Sequence, residues 1–528
     1  MKKRIWGIGL VILLILGLVV VVAGCGGGGT TTTAKGTGTT AAEKPVAGGT
    51  LRWVSGSQPA GNQVGIPWKW NASVPAYLLP VVEPLLVADA TGALQPWLAK
   101  SWDIGSDNLS ITFHLRDDVK FSDGTAFNAD AVKWNIDQQI AAKAPTTGLM
   151  TSCDKVDEYT VKINLKSWDG TLLNQMTNSI QDLFMISPTA YQKNGDKGAE
   201  TQLVGTGPFL LQSWDATTGA KMVKNPNYWQ TGKPYLDEID FTFLTDPTAA
   251  IMAVKGGQAD VGYFFRGSLV DQKAALADAG YPMYYYKNGM GIYAMFPDSG
   301  NPSSVLANAT LRQAIEYATD KETLCKTVGH GLWTPVWQAC PPSNAAYDAN
   351  LQPQRKFDIA KAKDLLKQAN YSGQVINLYT LQSDSALAQA IQAMWKTAGI
   401  ESNIQLMDQP SWVAKMGKGW TDGYLISAIG TNPVWVSALP RYLAAPPISY
   451  VSMARSDAVS TALADARAQK DLTSIIAKTK EIVKAVNDDA TLLPLFMHEA
   501  DYNVSNKVHN FGYDISGQWN AADIWISK

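Results

Sequence analysis

Apolar and polar residues alternate with a period of two in several short stretches of the first half of the chain. Ile111, Phe113 and Leu115 share one side of Ile111-Thr-Phe-His-Leu115, which leaves His114 on the solvent side. In Tyr159-Thr-Val-Lys-Ile-Asn-Leu165, Val161, Ile163 and Leu165 oppose Thr160, Lys162 and Asn164. Ile239-Asp-Phe-Thr-Phe243 repeats the pattern, and Thr50 to Ser55 reads as a first strand. Such alternation marks half-buried strands. Further along, the period becomes helical. Leu311, Ala314, Ile315 and Ala318 stand at i, i+3, i+4 and i+7, one face of a helix. Asp358 opens another, bearing Ala362, Leu365, Leu366 and Ala369; Leu387 to Ala398 marks a third, stopped near Gly399; Ile475 to Val486 supplies a late one. Asn128 is placed to cap a helix carrying Ala131, Val132 and Ile136. Sequence rich in strands up to about Phe243 gives way to sequence rich in helices after about Leu311. The pattern is that of a mixed α/β protein with at least two unlike lobes, and no solenoid repeat is present.

The N-terminal end follows neither period. Lys2, Lys3 and Arg4 precede an uncharged, mostly aliphatic run from Ile5 to Gly24, long enough to span a bilayer. Val22-Ala23-Gly24-Cys25 resembles the bacterial lipobox, and no Lys or Arg follows Cys25 closely as a stop-transfer signal would require. The expectation is a signal peptide over 1–24, lipidation of Cys25 and a flexible tether over 25–48; an uncleaved anchor is the alternative. A Gly/Thr-rich tether of this length reaches on the order of 25–30 Å and buries nothing.

Composition changes the picture in three places. Of the 528 residues, about 480 remain for folding, too many for one core and enough for two or three domains. The net charge is −2 with no basic block beyond the leader, which argues against a nucleic-acid partner. Eighteen tryptophans and twenty tyrosines offer wide aromatic surface, whether as core or as ligand walls. Three cysteines remain once Cys25 is lipidated; Cys325 and Cys340 are near enough in sequence to pair in an oxidising exterior, or all three are free buried thiols.

Val82-Glu-Pro-Leu-Leu-Val87, Gly92-Ala-Leu-Gln-Pro-Trp-Leu-Ala-Lys-Ser-Trp102, Leu109 to Thr125 and Phe127-Asn-Ala-Asp-Ala-Val132 together resemble the family 5 extracellular solute-binding proteins, the dipeptide, oligopeptide and nickel receptors of ABC importers. Gly205-Thr-Gly-Pro-Phe209, Asn225-Pro-Asn-Tyr-Trp229, Gly257-Gln-Ala-Asp-Val261, Leu311-Arg-Gln-Ala-Ile315, Asp358 to Ala369 and Leu493-Pro-Leu-Phe496 continue the match in order. Most of these motifs read as scaffold: Asp123-Gly124 as a turn, Gly205-Thr-Gly207 as a tight turn, Trp229 as a packing anchor. The resemblance implies a two-lobed periplasmic-binding-protein type II fold of the large, cluster C type, with an extra subdomain in lobe one. Lobe one would take 49–286, with the extra subdomain at about 70–203, and return at 499–528; lobe two would take 287–498. The chain would cross between them near Tyr285–Gly291 and near Met497–Ala500.

The same resemblance implies a function without covalent chemistry and without a cofactor or resident metal. A monomer on the outer face of the cytoplasmic membrane would capture a small solute between its lobes and hand it to an ABC permease and ATPase. The family's cleft corresponds here to Trp68, Trp70 and Asn71, to Tyr293 and Phe296, and to Gly430, Thr431, Asn432 and Trp435, with His498 near the second crossing. Trp68 and Trp70 read equally as pocket wall or as core. Peptide-binding relatives carry an Asp four residues before Pro433, where this chain has Ile429. An ammonium would be poorly compensated there, with Glu83 or Glu499 as replacements. The four histidines show no metal-ligand spacing. Two other readings stay open: a ligand-sensing lipoprotein, and an exported hydrolase, although neither a G-x-S-x-G elbow nor H-E-x-x-H is present.

Overall fold

Strand Thr50–Ser55 lies within a seven-stranded sheet whose order is Met283–Tyr284, Tyr502–Val504, Val261–Tyr263, Thr50–Ser55, Glu238–Phe243, Gly219–Lys224 and Phe209–Asp215. It runs parallel to Glu238–Phe243 and Val261–Tyr263, while the outer pairs are antiparallel. The alternation of Ile239, Phe241 and Phe243 buries all three against Trp53 and Trp519 in one apolar cluster. A computed structural model describes residues 44–528 apart from 57, 60–63, 71–74, 178–182, 265–268, 286–289, 352, 431, 448 and 513–518. The leader, Cys25 and most of the tether lie outside the described residues.

A second sheet has six strands in the order Thr334–Pro335, Leu493–Met497, Ile292–Pro297, Gly423–Ile429, Ile376–Leu381 and Ser402–Met407. Ile376–Leu381 is parallel to both of its neighbours. Both faces of this sheet are covered. Tyr293 and Met295 face the helices Ala309–Tyr317, Lys321–Thr327, Ile359–Gln368 and Ser385–Ala398. Ile292, Ala294 and Phe296 point the other way, onto Asp457–Ala468 and Leu472–Asp488. The expected start at Asp358 and stop at Gly399 form: Asp358 accepts a first-turn N–H and Gly399 ends its helix at φ 86°, while Asn308 and Asp471 cap two further helices in the same way.

Between the first strand and Phe209 the chain builds a four-stranded antiparallel sheet, Ala99–Ile104, Ser110–Leu115, Thr160–Leu165 and Met150–Asp157. Helix Ala129–Ala141 covers it, with Asn128 Oδ1 accepting from the Ala131 N–H at 3.1 Å. Gly205 and Gly207 serve close approach. A Cβ on either would stand 2.1 Å from the Val81 carbonyl or 2.5 Å from that of Pro80. Pro45–Lys528 forms one compact unit.

The three described cysteines are free and buried. Cys325 belongs to the cluster on one face of the six-stranded sheet and Cys340 to the cluster on the other, so no bridge joins them. Desolvation pushes the Cys153 and Cys325 thiols up to about 12, which makes them poor nucleophiles.

Candidate functional site

In open sheets with parallel strands, ligands bind outside the carboxyl ends of the strands. Val261–Tyr263 in one sheet and Ile376–Leu381 in the other are such strands. A cavity of about 280 Å³ lies where the segments after them meet: Leu269 to Gln272 on one side, Ser383 to Leu387 on the other. Tyr293, Trp333 and Phe496 make its aromatic wall. Trp333 stacks on Phe496 with centroids 3.9 Å apart and planes at 4°, and Phe496 stacks on Tyr293 at 5.0 Å and 16°. The Tyr293 hydroxyl donates to Asp384 Oδ1 at 3.5 Å. His330 Nδ1 and Asp271 Oδ1, 2.8 Å apart and both half-exposed or more, join the two sides beside the cavity.

Behind this wall sits a buried ion pair. Lys273 Nζ donates to Glu499 Oε1 at 2.9 Å, and neither side chain is reached by solvent. Trp333 donates its indole N–H to Glu499 Oε2 at 2.6 Å. Burial alone would raise the Glu499 carboxyl; the charges of Lys273 and His498 and the bonds from Lys273 and Trp333 hold it below its ordinary value instead. His498, also buried, donates from Nδ1 to the Glu499 carbonyl at 2.7 Å and meets Tyr293 edge-on at 5.9 Å. Glu499 belongs to the segment that leads from strand Leu493–Met497 of one sheet to Tyr502–Val504 of the other. One carboxylate therefore ties that crossing to helix Val270–Ala275 and to the cavity wall at once.

Glu83 is spent differently. It is buried, and among the described residues its partners are four neutral donors rather than a cation. Trp97 Nε1 and the Tyr228 hydroxyl reach Oε1 at 2.9 and 2.8 Å; the Thr206 hydroxyl and Trp229 Nε1 reach Oε2 at 2.7 and 3.0 Å. Desolvation raises its carboxyl above the ordinary range against the pull of those donors. Both carboxylates named as replacements at Ile429 thus already have partners: Glu83 is enclosed by four donors, and Glu499 is held by Lys273 and Trp333. Trp229, expected to be an anchor, is one, and Arg116 lies over its ring at 4.4 Å.

Of the residues expected at the site, Tyr293 lines the cavity and His498 packs against it. Trp68 and Trp70 belong to a 3-10 turn, Pro67–Lys69 and its cap, and not to a strand. Trp68 packs on Trp134 and Tyr191, and Trp70 on Phe184, with its indole N–H donating to the Val64 carbonyl. Phe296 and Trp435 lie in the cluster on the other face of the six-stranded sheet; Trp435 donates to the Ala339 carbonyl at 2.7 Å. Gly430 and Asn432 follow strand Gly423–Ile429, and Asn432 caps its own turn through Val434. Asn71 and Thr431 lie outside the described residues. Trp333, Asp384 and Lys273 were not singled out in the sequence, and Phe496 entered there only as the end of the motif Leu493-Pro-Leu-Phe496. No local pattern marks them, because each partnership is made across many residues.

Among the described residues, no group of three or more His, Cys, Asp or Glu is placed to hold a metal ion. No helix among them is long and apolar enough to cross a membrane.

The family model for bacterial extracellular solute-binding proteins, family 5 middle, matches residues 93–447, more than half of the chain. The glutathione-binding protein GsiB of Pectobacterium atrosepticum is 31% identical over 338 residues, 61% of this chain and 63% of the relative's length, so the chain spans less than two thirds of that relative. In fold, the chain is similar to NikA from Brucella suis, solved with Fe(III)-EDTA (TM-score 0.78, 22% identity, 91% of this chain and 100% of that one). It is also similar to DppA from Helicobacter pylori, solved with the peptide STSA (TM-score 0.74, 20% identity, 92% and 99%). These are two-lobed binding proteins of mixed α/β architecture. The chain belongs to the family 5 bacterial extracellular solute-binding proteins.

Proposed function

We propose that this chain is the solute-binding component of an ABC import system, taking a small peptide-like or other small organic solute into the cavity between its two large sheets. The observation that carries the reading is the position of that cavity. It lies outside the carboxyl ends of parallel strands from both sheets and is walled by both. A solute touching both walls makes more contacts when they are together than when they are apart, and that difference draws the protein closed. A membrane permease and its ATPase then receive the closed form, and the solute leaves unaltered. Tyr293 contacts the solute and His498 holds that ring in place. Trp68, Trp70, Phe296 and Trp435 support the walls by packing. Relatives named for glutathione binding favour a peptide-like solute. Cys25 carries the lipid that keeps the body on the outer face of the cytoplasmic membrane.

The test is native mass spectrometry of the protein purified from its own host with nothing added. The expected spectrum contains an adduct of small-molecule mass that is lost under denaturing spray. A bare mass in every growth medium, or a solute returned chemically changed after incubation, overturns the proposal.

A further inference from the structure

We propose that strand Ser402–Met407, the outer edge of the six-stranded sheet, pairs with the same strand of a second copy of this chain across a two-fold axis, in place of the monomer that the resemblance implies.

An edge strand offers a row of unpaired backbone N–H and C=O groups, and proteins blunt such edges with short strands, charges, prolines or bulges. Among the described residues, the other edges of the three larger sheets are blunted in these ways. Met283–Tyr284 and Thr334–Pro335 are two residues long, and the second ends in proline. The pairing of Phe209–Asp215 shifts register between Leu211 and Ser213, and the strand ends on a charge. Ala99–Ile104 carries Lys100 and Asp103, and Met150–Asp157 carries Asp154, Lys155 and Asp157; both also shift register. Ser402–Met407 has none of these devices. It is six residues long, uncharged, without proline, and in unbroken register with Ile376–Leu381. Its Leu406 side chain is 40% exposed.

The backbone decides the partner. Ile376 stands opposite Ser402 in parallel register, and its N–H donates to the Glu401 carbonyl at 2.9 Å. Bonded residues alternate along such a ladder, so Asn403 and Gln405 turn their backbone groups inward, and Ser402, Ile404 and Leu406 turn theirs outward. Of the outward groups, the Ser402 carbonyl takes a bond from the Gln392 amide at 2.8 Å. An antiparallel partner forms its bonded pairs between outward residues. Centring the pair on Ile404 uses all three: Ile404 faces its own copy, and Ser402 faces Leu406 of the second copy on either side of it. Between these pairs Asn403 faces Gln405, and beyond them Glu401 faces Met407, so no charge meets a like charge. The strand is thus complementary to itself, as a two-fold interface must be. None of its residues lines the cavity, so pairing leaves solute capture free. A strand of this length buries far less than the roughly 1,600 Å² of a standard interface, so the association is weak and grows with concentration.

The test is sedimentation velocity of the whole chain over a rising concentration series. The average mass is expected to climb towards twice that of one chain at concentrations on the order of 0.1 mM. Asn403→Lys with Gln405→Lys sets lysines opposite each other at both of those pairs and should weaken association at least about tenfold. Asn403→Glu with Gln405→Glu should do the same. A mixture of the two double variants should associate again, as a heterodimer, which also shows that both still fold. Should a double variant fail to fold, Leu406→Lys, at a side chain already exposed, decides in its place: association at wild-type strength overturns the pairing. A chain that stays single up to about 1 mM, association that survives the paired lysines, or a mixture that does not recombine overturns it as well. So does a chain that stays single but takes an extended peptide onto this edge.

Discussion

Glu83 and Glu499 show how differently a buried carboxylate can be compensated. Each oxygen of Glu83 receives one indole N–H, from Trp97 or Trp229, and one hydroxyl, from Tyr228 or Thr206. The hydroxyls can reverse their role, but an indole only donates. Glu83→Gln therefore leaves one indole facing an NH₂ group whichever way the amide is turned. The expected loss is about 1–3 kcal/mol in urea unfolding. An unchanged midpoint would show that the quartet carries no net stability. Glu499 has a carboxyl held below its ordinary value. The sign follows from linkage: the unfolded chain takes up the proton first, so the stability is present above the unfolded value and is lost as pH falls through the lower folded one. Glu499→Gln strands the Lys273 charge and should cost about 3–5 kcal/mol at neutral pH. That gap should narrow as the solution is acidified through the folded value, because the wild type then loses the same charge. A gap constant with pH would mean that Glu499 is not the group responsible. The family resemblance pointed to Tyr293 and His498, which lie at and beside the cavity. Asp384, 91 residues from the hydroxyl it accepts, had no such signal.

Among the elements, legibility followed exposure. The strands Ser110–Leu115, Thr160–Leu165 and Glu238–Phe243 have one side turned outward and show a clear period of two. Ile292-Tyr-Ala-Met-Phe-Pro297 is buried at every position, because helices cover both faces of its sheet. A strand buried on both faces shows no alternation, and the second half of the chain therefore read as rich in helices. The inserted four-stranded sheet region makes a contact that sequence could not show. Helix Asp457–Ala468 ends with carbonyls that no later turn satisfies. The Gly170 N–H donates to the Arg467 carbonyl and the Trp168 indole to that of Gln469, while Arg467 Nε donates to Asp169 Oδ2 at 2.8 Å. The other Asp169 oxygen is fixed by the N–H and hydroxyl of Thr171. Gly170 is required by space, since a Cβ there would stand 2.0 Å from the Gln469 carbonyl. This segment and helix lie nearly 300 residues apart and behave as a clasp. Arg467→Ala should speed hydrogen exchange in the peptide carrying Gly170 by about tenfold, equivalent to about 1.4 kcal/mol. Gly170→Val should open the same contact by steric force. Exchange that matches wild type in both variants would remove the clasp from the account.

For the molecule as a whole, the question is what the ion pair of Lys273 and Glu499 contributes beyond stability. A buried pair with no solvent access is expensive to form, and apolar residues of similar volume often replace it at no cost. Stability alone is therefore a weak reason for its presence. Its placement suggests another. Glu499 stands on the crossing between the sheets, Lys273 on the helix that walls one side of the cavity, and Trp333, bonded to the same carboxylate, on the wall of the other. Movement of either wall alters the geometry at this point, so the pair is placed to bias which relative positions are favoured. The double substitution Lys273→Met with Glu499→Leu separates the two roles. It removes both charges together and leaves neither stranded. Its unfolding free energy should fall by no more than about 1–3 kcal/mol, the cost of the indole N–H left without its acceptor. Compaction on adding the co-purifying solute, followed as radius of gyration by small-angle X-ray scattering, should shrink or vanish, because the indole of Trp333 has lost the acceptor that orients it. A variant as stable as wild type that still compacts in full would show the pair to be a packing feature and nothing more. A variant that fails to fold is covered by Trp333→Phe, which keeps the stack on Phe496 but removes the N–H, and which should weaken compaction for the same reason.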